Sequence, residues 1–185
     1  MNDTRNIATG KPKIGGAVYS APRGTALPTN ATDALSEAYV CLGYVSDDGV
    51  TNSTKRDSDS IKAWGGDTVA SPQKEFTDTF KLTFIESLNS DVLKTVYGKE
   101  NVSGKLDTGI EIKVNSKELD NSVYVIDTVM GDAIKRFVVA DAKVTEVGDV
   151  TYKDNELVAY ETTLTAYPSI ALNGDTHREY MVSEG

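Results

Sequence analysis

With 185 residues, 39% of them apolar and 25% charged, the chain is long enough for one folded domain with a sizeable core and calls for no second. Its 28 acidic against 19 basic residues leave a net charge of −9, the opposite of the Lys/Arg excess that grips a phosphate backbone; an acidic wall would instead let DNA pass without sticking. One cysteine (Cys41) and one histidine (His177) exclude an intrachain disulfide and Cys/His zinc sites, and nothing local supports a catalytic pair between them. The segment Met1–Pro12 lacks the apolar centre of a signal peptide, and no apolar run nears the roughly 18 residues of a membrane span, so folding in a cytoplasm is expected. Asn-x-Ser/Thr triplets begin at Asn2, Asn30, Asn52 and Asn101, and without a secretion signal they carry no information.

Residues 1–36 are punctuated by Gly10, Pro12, Gly15, Gly16, Pro22, Gly24 and Pro28, which predicts an extended arm with one short strand at Ala17–Tyr19. Ile14, Val18, Tyr19 and Leu27 are more apolar than a free linker needs, so the arm is expected to order against something. Glu37 to Val45 reads as a strand, with Cys41 as a small buried hydrophobe. Ser46 to Ser60 is polar and carries the turn signal Asp48-Gly49, which predicts a long loop or extended hairpin reaching away from the domain.

Ile61–Trp64 and Thr68–Ala70 flank a Gly65-Gly66-Asp67 turn, and Trp64 reads as packing. From Phe76 to Glu86 the residues alternate: Phe76, Phe80, Leu82 and Phe84 share a face on which Asp78 is the exception, while Thr77, Thr79, Lys81 and Thr83 face the other way. Such a strand belongs to a sheet covered on one side. Leu88, Val92 and Val96, flanked by N-cap candidates Ser87, Asn89 and Ser90 and by Gly98, predict a helix over 88–97 whose stripe is core. Strands follow at Ile110–Val114, Val123–Met130, Ile134–Val147 (bent around Ala140-Asp141-Ala142) and Leu157–Tyr167, the last stopped by Pro168. The fold class is mainly β: a β-sandwich or barrel-like sheet pair with one flanking helix, an extended N-terminal arm and a long protruding loop. Residues 1–36 are the arm, 37–168 the domain and 169–185 a C-terminal extension.

Three stretches then resemble a known family. They are Gly24–Thr29 with Leu42–Val50; Ile61–Asp67; and Ala142–Asp149 running on to Tyr160–Pro168, which in order and spacing cover most of residues 12–168. They are similar to the major tail proteins of siphophages, in the branch common among phages of Gram-positive bacteria. The resemblance implies a tail tube β-sandwich with no catalytic site, cofactor or metal, whose subunits form six-fold rings stacked into a hollow virion tube. It implies partners: further copies of the chain, a tape-measure protein, and tail terminator and distal tail proteins, with DNA crossing the lumen unbound and no membrane. The family's long loop and N-terminal arm lie between rings, matching residues 46–60 and 1–30. By that match Asp47, Asp48, Lys55, Arg56 and Asp57 are expected at inter-ring contacts, and Ile14, Val18 and Tyr19 are expected to dock the arm on a neighbour. Deleting residues 47–58 is then expected to leave a folded monomer that forms no tubes.

Other readings from the sequence are a tube protein of a contractile tail or type VI-like machine, a carbohydrate-binding β-sandwich adhesion module, and a carboxylate hydrolase. An adhesion module needs an exposed aromatic platform or a calcium site, for which Trp64 is the sole tryptophan. The acidic cluster Asp47, Asp48, Asp57 and Asp59 that a hydrolase or calcium site would use falls on a polar loop and lacks EF-hand spacing.

Overall fold

The computed structural model describes residues 2–183; Met1, Glu184 and Gly185, the outer ends of the expected arm and extension, lie outside the described residues. In chain order the strands are β1 (Gly10–Pro12), β2 (Val18–Pro22), β3 (Val40–Cys41), β4 (Val45–Ser58), β5 (Ile61–Lys62), β6 (Thr68–Ala70) and β7 (Gln73–Phe84). After helix α1 (Ser90–Tyr97) come β8 (Val102–Lys105), β9 (Gly109–Ile112), β10 (Ser122–Met130), β11 (Ala133–Val147), β12 (Tyr160–Ala166) and β13 (Arg178–Ser183). Nine strands make one antiparallel sheet in the order β3-β2-β10-β11-β12-β7-β4, with β1 added to β10 and β13 to β11; β5-β6 and β8-β9 are separate hairpins.

The β10–β11 hairpin is the spine. The first half of β10 pairs with β2 and its end with β1, while β11 pairs with β13 through Val138 and with β12 from Ala142. Between these halves the register slips at Ser122/Tyr124 opposite Val139–Ala142, and again at Val144/Glu146. Bulges bend a strand and sharpen its twist, and here they fall where Ala140-Asp141-Ala142 predicted the bend. The inner faces of both halves meet in one core that joins Val18, Tyr124, Ile126 and Val139 to Phe80, Leu82, Phe84, Tyr160 and Leu164.

The continuous apolar run Val123–Ile126 has a direct cause: all four residues are buried because β10 is covered on both faces. Tyr124 and Ile126 enter the main core, while Val123 and Val125 pack with Ala21 and Tyr39 under the loop that carries Leu27 and Leu35. A strand buried on both sides loses the alternation of a one-sided one.

Helix α1 closes the main core with Val92, Leu93 and Val96. Asn89 is its N-cap, accepting from the Asp91 amide at 2.9 Å, and the Gly98 amide donates back to the Lys94 carbonyl. Leu88 falls outside the helix and is exposed, because the chain is still turning there. That turn is held by Glu86, which accepts from the Tyr44 amide and the Asn89 side chain and presses so closely on Gly43, at φ 72°, that no Cβ fits. Asn89→Ala is expected to cost about 1 kcal/mol, seen in thermal melts as a fall of roughly 2–4 °C.

Two further stretches depart from the sequence reading. Of Glu37–Val45 only Val40–Cys41 and the first residue of β4, Val45, are strand, because Ser36 to Tyr39 turns to bring Tyr39 beneath β2 and β10. Residues beyond Pro168 add β13 to the sheet, paired with β11 from Ala133 to Val138.

Candidate assembly surfaces

Residues 46–58, read as a loop or extended hairpin, form most of β4, which pairs with β7 from Val50/Leu82 to Ser58/Gln73. Its short polar and charged side chains suit it to an edge strand. β12 pairs with β7 only from Asp78 to Phe84, so beyond Thr77 the β4–β7 ribbon leaves the body as two strands. β5 and β6 extend it, and every residue from 58 to 76 is exposed. This arm runs roughly 30 Å at about 3.3 Å per residue and buries nothing of its own.

The named residues separate along this ribbon. Lys55, Arg56 and Asp57 sit where it leaves the body: Lys55 donates to Asp57 at 2.8 Å and Arg56 stacks 4.5 Å from the Phe76 ring. The Asp57 carboxylate lifts the pKa of Lys55 above its ordinary value. Asp47 and Asp48 lie at the other end, exposed in a bulge where the register jumps between Val45/Phe84 and Val50/Leu82. Seven residues of strand put about 20 Å between the two groups, so they do not form one cluster. Trp64, read as packing, is fully exposed at the tip with Ile61 and Val69.

The arm-docking residues also divide. Ile14 is 99% exposed in the turn between β1 and β2. Val18, by contrast, is completely buried in this chain's own core, so it has no surface to offer a neighbour. Tyr19 is half-buried on the second core, its hydroxyl donates to the Gly16 carbonyl, and burial raises its pKa. The arm expected over residues 1–36 therefore lies partly in the sheet, through β1 and β2. Val18 and Tyr19 pack there, and Gly15 and Gly16 serve the intervening turn.

Residues 23–39 are tied down by a pair of charges that sequence pattern did not single out. Arg136 and Asp127 face each other across β10–β11 and are buried, joined by Nε to Oδ1 at 2.7 Å and Nη2 to Oδ2 at 2.8 Å. The remaining Nη1 donates to the carbonyls of Asp33 at 2.7 Å and Asn30 at 3.4 Å. Asp127 also lies 3.6 Å from Lys13.

Asp78, the exception on the apolar face of β7, is buried and accepts from Asn52 of β4, Thr176 and His177 at 2.9, 2.6 and 2.6 Å. Burial pushes its carboxyl up, but the three donors outweigh that and hold its pKa below the ordinary value. The same bond raises the pKa of His177 against the opposing effect of burial. An acid breaking an apolar alternation was the available signal; its partners, Asn52 on the neighbouring strand and Thr176 and His177 nearly a hundred residues away, were not legible.

The outer face of β4, β7, β12 and β11 is a carpet of short polar side chains. Ser53, Thr79, Thr165 and Lys143 form one row across paired positions, and Thr51, Lys81, Thr163 and Glu146 the next. Thr145 and Thr165 hydroxyls bond at 2.8 Å, and Lys81 pairs with Glu161 at 2.8 Å. These rows are close to charge-neutral, so the net −9 of the chain resides elsewhere.

A bent antiparallel sheet with a protruding, coreless arm and a broad hydroxyl face defines a structural subunit built to meet other chains. The chain matches the family described as phage tail tube protein over residues 2–176, and it belongs to that family. It is thus a structural component of a phage tail, in a family of tube-building rather than catalytic proteins. No curated protein matches it. Among solved structures, the cap that terminates the tube of the anti-feeding prophage, seen by cryo-electron microscopy, covers 99% of this chain and 99% of its own at 10% identity and a TM-score of 0.46, a likeness too distant to carry weight.

Proposed function

We propose that the chain is the major tail tube subunit of a long, non-contractile phage tail, stacking as six-fold rings around a tape-measure protein into a hollow tube that later carries DNA. Tail terminator and distal tail proteins would close the ends of that tube. The observation that carries this reading is the arm: nineteen consecutive exposed residues, 58–76, held as antiparallel hairpin without a core. A two-stranded ribbon is marginal by itself in water, so its apolar side chains are there for another molecule. Lys55, Arg56 and Asp57 at its root, and Asp47, Asp48, Ile14 and Tyr19 on the body, supply further contact between subunits. The hydroxyl face of β7 and β12 suits the wall of a water-filled channel. Its near neutrality provides no cluster of cations for phosphates to grip.

Deleting residues 47–58 is no longer a clean test, because Val50 packs on the core and Asn52 donates to buried Asp78. Replacing Asp59–Pro72 by Asn-Gly keeps Ser58 opposite Gln73 and closes the ribbon with a favoured two-residue turn. This variant is expected to keep the circular dichroism and melting temperature of the full chain, and to form no tubes in negative-stain electron microscopy where the full chain does. Tubes of normal width and stacking from the trimmed chain would sink the proposal.

A further inference from the structure

Residues 23–39 cross the face of β10 that looks away from the main core, and we infer that they form a strap that opens as one unit while the body beneath stays folded. The inference stands apart from the tube reading and needs no second copy of the chain. Seventeen residues without a helix or strand make a long connection for a folded domain. Ten of them are exposed, and the buried ones, Pro28, Ala31 and Tyr39, include a single large side chain. Leu27 and Leu35 are only partly buried against the small core of Ala21, Tyr39, Val123 and Val125. A cavity of about 220 Å³ lies against them, lined in part by Ala26, Leu27, Asp33, Leu35 and Tyr39. Unfilled space leaves its lining atoms without partners on that side, so apolar packing holds the strap weakly.

What positions the strap is polar, and every buried charge involved keeps a partner when the strap leaves. Arg23 reaches Asp141 of β11 at 2.5 Å, its own side chain 66% exposed and the carboxylate's 4%. Arg136 donates to the carbonyls of Asn30 and Asp33 through Nη1 alone. With the strap lifted, Arg136 still holds Asp127 through Nε and Nη2, and Asp141 still accepts from Asn121. A buried charge left unpaired is the costly outcome. Opening here produces none, because water takes the place of the strap carbonyls at Nη1.

Internal bonds make the strap move as a piece rather than fray residue by residue. The Asp33 carboxylate accepts from the Thr29 amide and hydroxyl and from the Asn30 side chain, at 2.9, 2.9 and 2.6 Å. The Asn30 side-chain oxygen accepts in turn from the Thr32 and Asp33 amides. The Tyr39 hydroxyl donates to the Ala26 carbonyl at 3.0 Å and closes one limb on the other. Lifting the strap uncovers Val123 and Val125, now 1% and 0% exposed, while β10 keeps its ladders to β2 and β11. Segments with few buried apolar contacts open below the global free energy, in contiguous units.

Amide hydrogen exchange of the full chain, read residue by residue by NMR, tests this. The bonded amides of Thr25, Thr29, Thr32, Asp33 and Tyr39 are spread along the strap. They are expected to share one opening constant and to exchange about 100-fold or more faster than amides at the centre of the β10–β11 hairpin. Arg23→Ala should raise that constant for all five by about two- to tenfold, although Arg23 bonds to none of them. In a Cys41→Ser background, a thiol introduced by Val123→Cys should be labelled at the rate set by the same constant, reporting that the β10 face is uncovered. Five unrelated constants, an Arg23→Ala effect confined to Thr25, or strap amides that exchange only together with those of β10–β11 would each overturn the inference. So would a Val123→Cys thiol that is labelled only on global unfolding.

Discussion

Arg136→Met is expected to lower the unfolding free energy by about 3–5 kcal/mol, a fall of roughly 10 °C in melting temperature at 2–4 °C per kcal/mol. The size follows from what the substitution leaves behind. Asp127 is 1% exposed and would keep only Lys13, at 3.6 Å, as a counter-charge. A buried charge stripped of its partner costs more than the pair ever contributed. Pairing Arg136→Met with Asp127→Leu removes the stranded carboxylate, so the double variant should melt above the single one. It should not regain the order of residues 23–39, because the carbonyls of Asn30 and Asp33 still lack their donor. Limited proteolysis at Arg23 separates the two effects: faster cleavage in both variants, with partial recovery of the melting temperature in the double alone. A single variant that melts with the wild type would refute this account of the pair.

The parts of the fold visible in sequence are those where one face is wet. β7 and α1 announce themselves because Phe80, Leu82 and Phe84, and Val92 and Val96, repeat with the period of their element against polar neighbours. β10 is equally clear for the opposite reason, the unbroken apolar run Val123–Ile126. What did not register was order imposed from a distance. β13 is a strand because β11 offers it an edge, and four of its six residues are exposed, so its own pattern is weak. β4 was obscured by charges that an edge strand tolerates since neither of its faces along the arm meets a core.

Much the same holds for the contact residues. A polar, charged stretch at 46–60 marks a surface segment, but the coreless arm falls mainly at residues 58–76, beyond most of that stretch. Which apolar residues stay outside is a different matter, because exposure is a property of the finished topology. Trp64 beside two glycines looks like a packed turn until the ribbon beneath it is seen to leave the body. Val18 in a glycine-rich segment looks available until β10 and β3 close over β2.

The C-terminal strand is expected to make stability fall as the medium turns alkaline. His177 bonds to Asp78 at 2.6 Å through Nδ1, lies 3.6 Å from Glu179 through Nε2, and sits among the rings of Phe80 and Phe137. Glu179 is itself paired with Lys135 at 2.7 Å. Folding raises the pKa of His177, so its contribution is complete below the ordinary value near 6.5 and is lost as pH rises through the folded value. Folding lowers the pKa of Asp78, so its contribution is present above the ordinary value near 3.9 and is lost as pH falls through the folded one. The tie is therefore strongest between about pH 4 and pH 6.5, and weakening it should cost about 1–3 kcal/mol, the range for hydrogen bonds to charged groups. His177→Gln keeps a donor near Asp78 but cannot titrate. Urea unfolding between pH 5 and pH 9 should show stability declining in the wild type and a flatter profile in His177→Gln, with the two converging at high pH. Parallel profiles would mean that the imidazole carries no charge in the fold, and that packing and strand pairing alone hold β13 in place.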